Sequence, residues 1–423
     1  MLVAFCCDPR LKMSFSPTDS VRKSCREWLE RGESSVSINI SALDKFSNEI
    51  ARSIHSNESL QVAEWDADGW HYTGKTYQRR QYQDDKLYEL MRMERVGLYV
   101  LSMDAINFCF WPSSSKTAKN GLEYEHLAIA LRKLAELDDE NSMAFDQGDD
   151  FTNGIRAESS YALSPFNLKS LTTTKLQSLL QPHFPSSSTS SIVYELPEIA
   201  ERCRLLNELG KGLIDNHSGS VLNLISKADN SADALVGIIL DTFPGFRDYV
   251  DLTNKSNSWH AAKSSTSIIH FYKRAQIAVA DIWAALGRCS TSSHGCHFKD
   301  MKLITTFPDY RVPQILRQVG GLQYTPHLAE KVDNQDELEE GEVDEISIRA
   351  ATVVAVEEMV ELVKKHLMDI AELDASEQSK KNMHKLKEDI SAVTIDWYLW
   401  QRGEKEDRKG LLDFHHRVRT TFY

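Results

Sequence analysis

Between Thr305 and Leu316 the stretch TTFPDYRVPQIL sets a carboxylate, a phenol and a guanidinium side by side, Asp309, Tyr310 and Arg311. Pro308 and Pro313 fix their own φ and push the residues before them out of the α region, which predicts a rigid corner at the mouth of a helix. Such a corner suits a working carboxylate, and it equally suits an N-cap, because an aspartate one turn before a helix satisfies free N–H groups without any chemistry. Three other stretches also place charge inside an aromatic or apolar run. SMDAINFCFWP sets Asp104 and Asn107 beside Phe108, Phe110 and Trp111; FYKRAQIAVADIW sets Lys273 beside Phe271 and Tyr272; IDWYLW sets Asp396 beside Trp397, Tyr398 and Trp400. Buried ions are costly unless paired or used. Aromatic faces with a few charged groups fit a flat heterocycle on a polar sugar, since rings stack and carboxylates accept from ring and exocyclic N–H groups. A core with four ordinary ion pairs accounts for the same residues.

Elements must hold these groups. A helix is expected over Ser20 to Arg31, and the aromatic-rich WDADGWHYTGKTYQRRQYQ has no helical period and reads as strand or loop. RVGLYVLSMDAINFCFWP, Arg95 to Pro112, has the β-branched and aromatic density of a buried strand. PHFPSSSTSS reads as a surface insertion or a loop beside a site. From about Pro197 the apolar residues recur at helical spacing: LPEIAERCRLLNELGKGLI, then SVLNLISKADNSADALVGIILDTFPGF with Asp229 or Asn230 then Ser231 as cap, then Ser267 to Leu286. VDNQDELEEGEVDEI reads as a solvated acidic loop before a long, largely buried helix, SIRAATVVAVEEMVELVKKHL. The expectation is a mainly α chain with a smaller α/β N-terminal part. Its boundaries fall as 1–95, a divergent region of helix and strand or loop; 96–196, a pocket segment with a Ser-rich insertion; and 197–423, helical and catalytic. A single continuous domain from about 20 to 423 is the alternative.

Other chemistries are excluded by what is missing. There is no P-loop, no GxSxG elbow and no GxGxxG after a strand. Cys289, His294, Cys296 and His297 in CSTSSHGCHFKD are zinc-type ligands at a spacing that matches no paired zinc motif, so neither metal nor cofactor is expected. The terminal FHHRVR offers two histidines and two arginines, either for an anion or as solvated charges. The 423 residues are 41% hydrophobic and 26% charged, enough for a large core. A net charge of −13 argues against a surface for polymeric nucleic acid and leaves a local basic pocket for one nucleotide. Seven irregularly scattered cysteines form no disulfide framework, no apolar run approaches the roughly 18 residues of a membrane span, and MLVAFCCDPRLKMS is no secretory signal. The expected location is the cytoplasm.

The same segments resemble those of the queuosine salvage protein family, the queuosine 5'-phosphate N-glycosylases, from about GLYVLSMDAINFCFWP to the final tyrosine, with LLNELGKGLI, FPGFRDY, EVDEISIRAATVVAVE and FHHRVRTTFY between. The resemblance implies hydrolysis of the N-glycosidic bond of queuosine 5'-monophosphate, releasing the 7-deazaguanine base queuine for return to tRNA, and a helical domain like that of helix-hairpin-helix DNA glycosylases. It places the family's lysine of FYKRAQ on Lys273 and its aspartate of DYR on Asp309, 36 residues apart (309 minus 273). Asp309 would stabilise a ribosyl cation or orient water; Lys273 would set that aspartate or bind the substrate, in a monofunctional hydrolase. Asp104, Asp281 and Asp396 are candidate acceptors for the amino and imino hydrogens of the base, and Phe108, Trp111, Tyr310 and Trp397 candidate stacking surfaces. Arg311, His126, His415 and Arg419 are the donors available to the phosphate. Two other functions fit the same inventory: a nucleosidase for another nucleotide, or a non-catalytic protein that binds deazaguanine or contacts tRNA.

Overall fold

A computed structural model describes residues 16–57, 69–77, 85–111, 122–142, 161–184, 196–254, 267–287, 296–373 and 377–423. Among them the chain is predominantly α-helical. In order the helices are α1 (Pro17–Glu30), α2 (Ile40–Asn57), α3 (Asp85–Ala105), α4 (Tyr124–Ser142), α5 (Pro165–Lys169), α6 (Thr173–Leu180), α7 (Ile199–His217) and α8 (Val221–Ser226). Then come α9 (Ala232–Thr242), α10 (Lys273–Ile282), α11 (Arg311–Gln318), α12 (Pro326–Asp333), α13 (Val343–Leu373), α14 (Glu377–Asp389) and α15 (Ala392–Asp407). The small β content is three two-stranded ladders. β1 (Val36–Ile38) runs antiparallel to β4 (Leu322–Tyr324), β2 (Tyr249–Asp251) antiparallel to β3 (Ile268–His270), and β5 (Glu337–Leu338) parallel to β6 (Arg417–Val418).

Local chemistry accounts for the helix starts. Ser16 accepts from the Asp19 N–H ahead of Pro17, and Ser231 accepts from the Ala234 N–H at the head of α9. Ser391 and Thr394 form a reciprocal capping box that fixes the start of α15.

Three expectations are corrected. The stretch from Arg95, read as a strand, is helical to Ala105 and then becomes a loop. Every residue from Met93 to Trp111 is buried, with α4, α7, α8 and α10 packed around α3, so no polar face marks the helical period. Ser267 to Leu286 is not one helix: it opens with β3, becomes helical at Lys273 and ends in a π-type turn, Trp283–Gly287. The acidic run is not all solvated, because Glu345 is buried against Arg349 in the first turn of α13. The Ser-rich stretch from Pro185, and Cys289 with His294, lie outside the described residues.

Helix α13 divides two apolar cores. Ile346, Ala350 and Val353 face one built on α3, α7, α9 and α10, while Ile348, Ala351, Ala355 and Met359 face one built on α2, α11 and α15. Each fully buried Val, Leu or Ile stabilises by roughly 1.5–3 kcal/mol, which offsets the burial of charge where the two cores meet. No helix among the described residues is long and apolar enough to cross a membrane.

Candidate active site

A cavity opens where α10, α15, the 305–310 segment and the loop after α3 converge. Lys273, Ile277, Asp281 and Ala284 line it from α10 and the turn that follows, at three- and four-residue spacing. Asp396, Trp397, Trp400 and Gln401 line it from α15; Phe307, Asp309 and Tyr310 from the corner; Asn107, Phe108 and Phe110 from the loop. Trp70, His71, Tyr124 and Tyr423 complete the wall. Trp400 meets Trp70 and Tyr124 edge-on, with ring centroids 6.2 and 5.5 Å apart, and Trp397 stacks on Trp283.

Lys273 is the first residue of α10, and its start is strained. Tyr272 before it has φ +52°, a left-handed conformation that disfavours any side chain. Asp248 holds this corner: its carbonyl accepts from the N–H groups of Phe271 and Tyr272, both at 3.0 Å, and its carboxylate accepts from the Lys273 N–H at 3.1 Å. The Lys273 ammonium donates to the Asn107 carbonyl at 3.4 Å.

Asp309 caps and faces the cavity at once. Its Oδ1 accepts from the N–H groups of Arg311 at 2.9 Å and Val312 at 3.0 Å, as an N-cap would, while the residue lines the pocket. The cap pins the carboxylate. The segment before it is tied to both helices: Gln276 of α10 exchanges hydrogen bonds with Thr305 at 2.8 and 2.9 Å, and Asp396 accepts from the Phe307 N–H at 2.9 Å and from the Thr306 hydroxyl.

The loop carrying Asn107 and Phe108 is clasped by cations. Arg274 donates to the Ala105 carbonyl, Arg202 to those of Ile106, Phe108 and Cys109, and Lys273 to that of Asn107, so five successive carbonyls each accept from a charged side chain. Charged donors make the stronger hydrogen bonds, and here they fix a turn in which Cys109 has φ +39°. Phe108 is thereby presented to the cavity with the Arg202 guanidinium 4.3 Å from its ring centre.

Four carboxyls crowd this buried region, and their environments push them apart. Burial, then the neighbouring charge of Asp309, pushes the Asp396 carboxyl up to about 8. Burial, with Asp104 beside it, raises Asp281 well above the carboxylate range. Asp104 is buried beside Asn107 with neither oxygen in a well-formed hydrogen bond, and burial raises it too. Burial also raises Asp309, but Lys273 opposes it, followed by the Val312 N–H, the Arg311 charge and the Arg311 N–H. Burial lowers Lys273, and Asp309 is the first charge that opposes that loss. Of the four, Asp309 has the most groups opposing the effect of burial, while burial favours the protonated form of its neighbours. No group of three His, Cys, Asp or Glu side chains among the described residues could hold a metal ion.

Residues 88–423 match the family model described as queuosine salvage protein. The chain belongs to that family. A Dictyostelium discoideum protein named queuosine 5'-phosphate N-glycosylase/hydrolase is 30% identical over 96% of this chain and 100% of its own length. A Sphaerobacter thermophilus protein of the same name is 30% identical over 78% of this chain and 82% of its own, and one from Bos taurus is 37% identical over 54% and 59%.

Within this queuosine salvage family chain, the residues singled out from sequence fall into two groups. Lys273, Asp309, Asn107, Phe108, Asp281, Tyr310, Asp396 and Trp397 line the cavity. Asp104, Trp111, Phe271, Tyr272 and Arg311 do not. Arg311 turns away to Glu404 at 2.8 Å, Gln314 at 2.7 Å and Asp407 at 3.1 Å, over Gly403, where a Cβ would stand 2.7 Å from the Arg311 side chain. Trp111 packs edge-on behind Tyr310, and the Tyr272 hydroxyl meets His270 Nδ1. Phe271 lies under the Arg349 guanidinium. The other phosphate candidates are engaged elsewhere: His126 with the Glu123 N–H, His415 against Tyr310, and Arg419 with Glu198 and Glu337. The basic side chains among the described lining residues are Lys273 and His71. Trp70, His71, Tyr124 and Tyr423 were not anticipated, because each reaches the cavity from a distant part of the chain and none sits in a charged apolar run.

Proposed function

We propose that the chain hydrolyses the N-glycosidic bond of queuosine 5'-monophosphate, releasing queuine and ribose 5-phosphate and so returning the base to tRNA modification. Family membership and the names of its relatives support this substrate. The observation that carries the mechanism is the Asp309 carboxylate, pinned at a helix start and facing an aromatic cavity opposite Lys273.

Cleavage of an N-glycoside develops positive charge on the sugar and negative charge on the departing base. Asp309 stabilises the first and orients the water whose oxygen bonds to C1'. One proton of that water ends on the base. Asp281 and Asp396, cavity-lining carboxyls whose protonated form burial favours, hydrogen-bond the deazaguanine in this reading, and Phe108, Tyr310 and Trp397 supply aromatic surface around it. Lys273 keeps Asp309 ionised and forms no covalent adduct.

We read residues 20–423 as one continuous domain, since α1 and α2 both pack on α13, and the helical region from 197 as glycosylase-like in the helix-hairpin-helix manner. The substrate assignment is tested by offering the purified protein queuosine 5'-monophosphate, guanosine 5'-monophosphate and adenosine 5'-monophosphate and assaying each free base. Queuine released at least about 100-fold faster than guanine or adenine is the expected result, given the discrimination a hydrogen-bonding site achieves. Preferential release of adenine or guanine, or binding without turnover, would overturn it.

A further inference from the structure

Arg349, in the first turns of α13, lines no part of the cavity, yet it joins the two segments that bring Lys273 and Asp309 into it. Its Nη1 and Nη2 donate to the two oxygens of Asp248 at 2.9 and 2.5 Å. Asp248 in turn accepts from the Lys273 N–H through its carboxylate and from the Phe271 and Tyr272 N–H groups through its carbonyl. On the other side, Arg349 Nε donates to the carbonyl of Pro308, the residue before Asp309, at 3.3 Å. The guanidinium lies between the rings of Phe271 at 3.9 Å and Tyr423 at 4.5 Å, and Tyr423 lines the cavity. Glu345 Oε1 accepts from Nη1 at 3.2 Å, and its Oε2 accepts from the Gly341 N–H at 3.0 Å. One planar fork thus contacts the strained corner before Lys273, the peptide before Asp309 and a ring of the wall.

We propose that Arg349 is the positioning residue that sets the separation of Lys273 from Asp309, acting through Asp248 on one side and Pro308 on the other. The geometry requires a guanidinium. An ammonium in its place could meet one Asp248 oxygen, and could not also span to the Pro308 carbonyl while keeping its charge over both rings. This inference rests on the proposed hydrolysis.

The test is kcat, KM and the pH profile of kcat for queuosine 5'-monophosphate with wild type, Arg349→Lys and Asp248→Asn. Around Asp309 the cations are Lys273 and Arg311 and the facing carboxyl is Asp396, so a wider Lys273–Asp309 gap leaves Asp309 harder to ionise. Arg349→Lys is expected to lower kcat by roughly 10- to 100-fold with KM within about 3-fold, and to move the acid limb to higher pH, as a misplaced catalytic pair would. Asp248→Asn should do the same. Unchanged kcat and limb in the folded variants, or a rise in KM alone, would overturn the inference and leave the hydrolase reading intact. Failure of both variants to fold would overturn it too, since the network would then determine the fold. No turnover by wild type would remove the hydrolase reading itself.

Discussion

Lys273 opens helix α10 and Asp309 caps helix α11, and the two side chains enter one cavity from the starts of the two helices. Each is the other's main electrostatic support against burial. Activity should follow that dependence.

Burial raises the Asp309 carboxyl from its ordinary value, and its ionised form is the one that stabilises a ribosyl cation. The rate should rise with pH through the Asp309 transition. The acid limb of kcat/KM is therefore expected above about 4, the ordinary carboxylate value. A rate profile measured from pH 3.5 to 8 checks this, and a limb at or below 4 would contradict the assignment.

Replacing Lys273 by Met removes the first charge that opposes protonation of Asp309. The acid limb should then move further up, and kcat should fall by about 100-fold, the scale of losing one preorganised electrostatic group. Borohydride added during wild-type turnover should trap no adduct. A trapped lysine adduct would replace the monofunctional mechanism with a Schiff base.

Asp104 bears on stability. Burial pushes its carboxyl up to about 8, with Lys273 and then Arg274 pulling the other way. A folded pKa above the unfolded one means the native state holds the proton more tightly. The stability this contributes is full below about 4 and is lost as pH rises towards 8. Asp104→Asn stays neutral throughout, so it should gain on wild type by on the order of 1 kcal/mol per pH unit across that window. Chemical denaturation at pH 5, 6.5 and 8 measures the gap, and a gap independent of pH would contradict the reading.

Arg202 donates to the carbonyls of Pro197, Ile106, Phe108 and Cys109. The Ile106 carbonyl keeps the Phe108 N–H at 3.2 Å, but Arg202→Met leaves the buried Phe108 and Cys109 carbonyls without the guanidinium, and each orphan costs about 1–3 kcal/mol. A loss of at least about 3 kcal/mol is expected in denaturant unfolding, together with a raised KM as Phe108 loses its fixed position. A variant as stable as wild type would show the clasp to be dispensable.

How far the sequence could be read depended on how local each feature is. Pro308 and Pro313 announced the corner, and its two readings proved compatible, because one Asp309 oxygen caps α11 while the residue faces the cavity. The Ser231 cap and the body of the long helix, read from Ser347, were legible from cap chemistry and apolar spacing, while its first turn from Val343 was hidden in the acidic run. α3 was not, since a helix buried on every side carries no polar stripe and its Val, Tyr and Leu mimic a strand. Arg311 was read towards the pocket because it stands two residues after Asp309, while its partners, Glu404 and Asp407, come from α15. Trp70, Tyr423 and the Arg349 bridge are products of tertiary packing over more than 40 residues of chain, with no local pattern to mark them.

The most direct measurement is the rate of queuine release from queuosine 5'-monophosphate, followed by mass spectrometry, for wild type and Asp309→Asn side by side. The amide preserves shape and an acceptor for the helix cap but carries no charge. Wild type should yield queuine and ribose 5-phosphate, and the folded variant should bind substrate while turning over roughly 10²- to 10⁴-fold more slowly. Equal rates would reduce Asp309 to a helix cap and contradict the account.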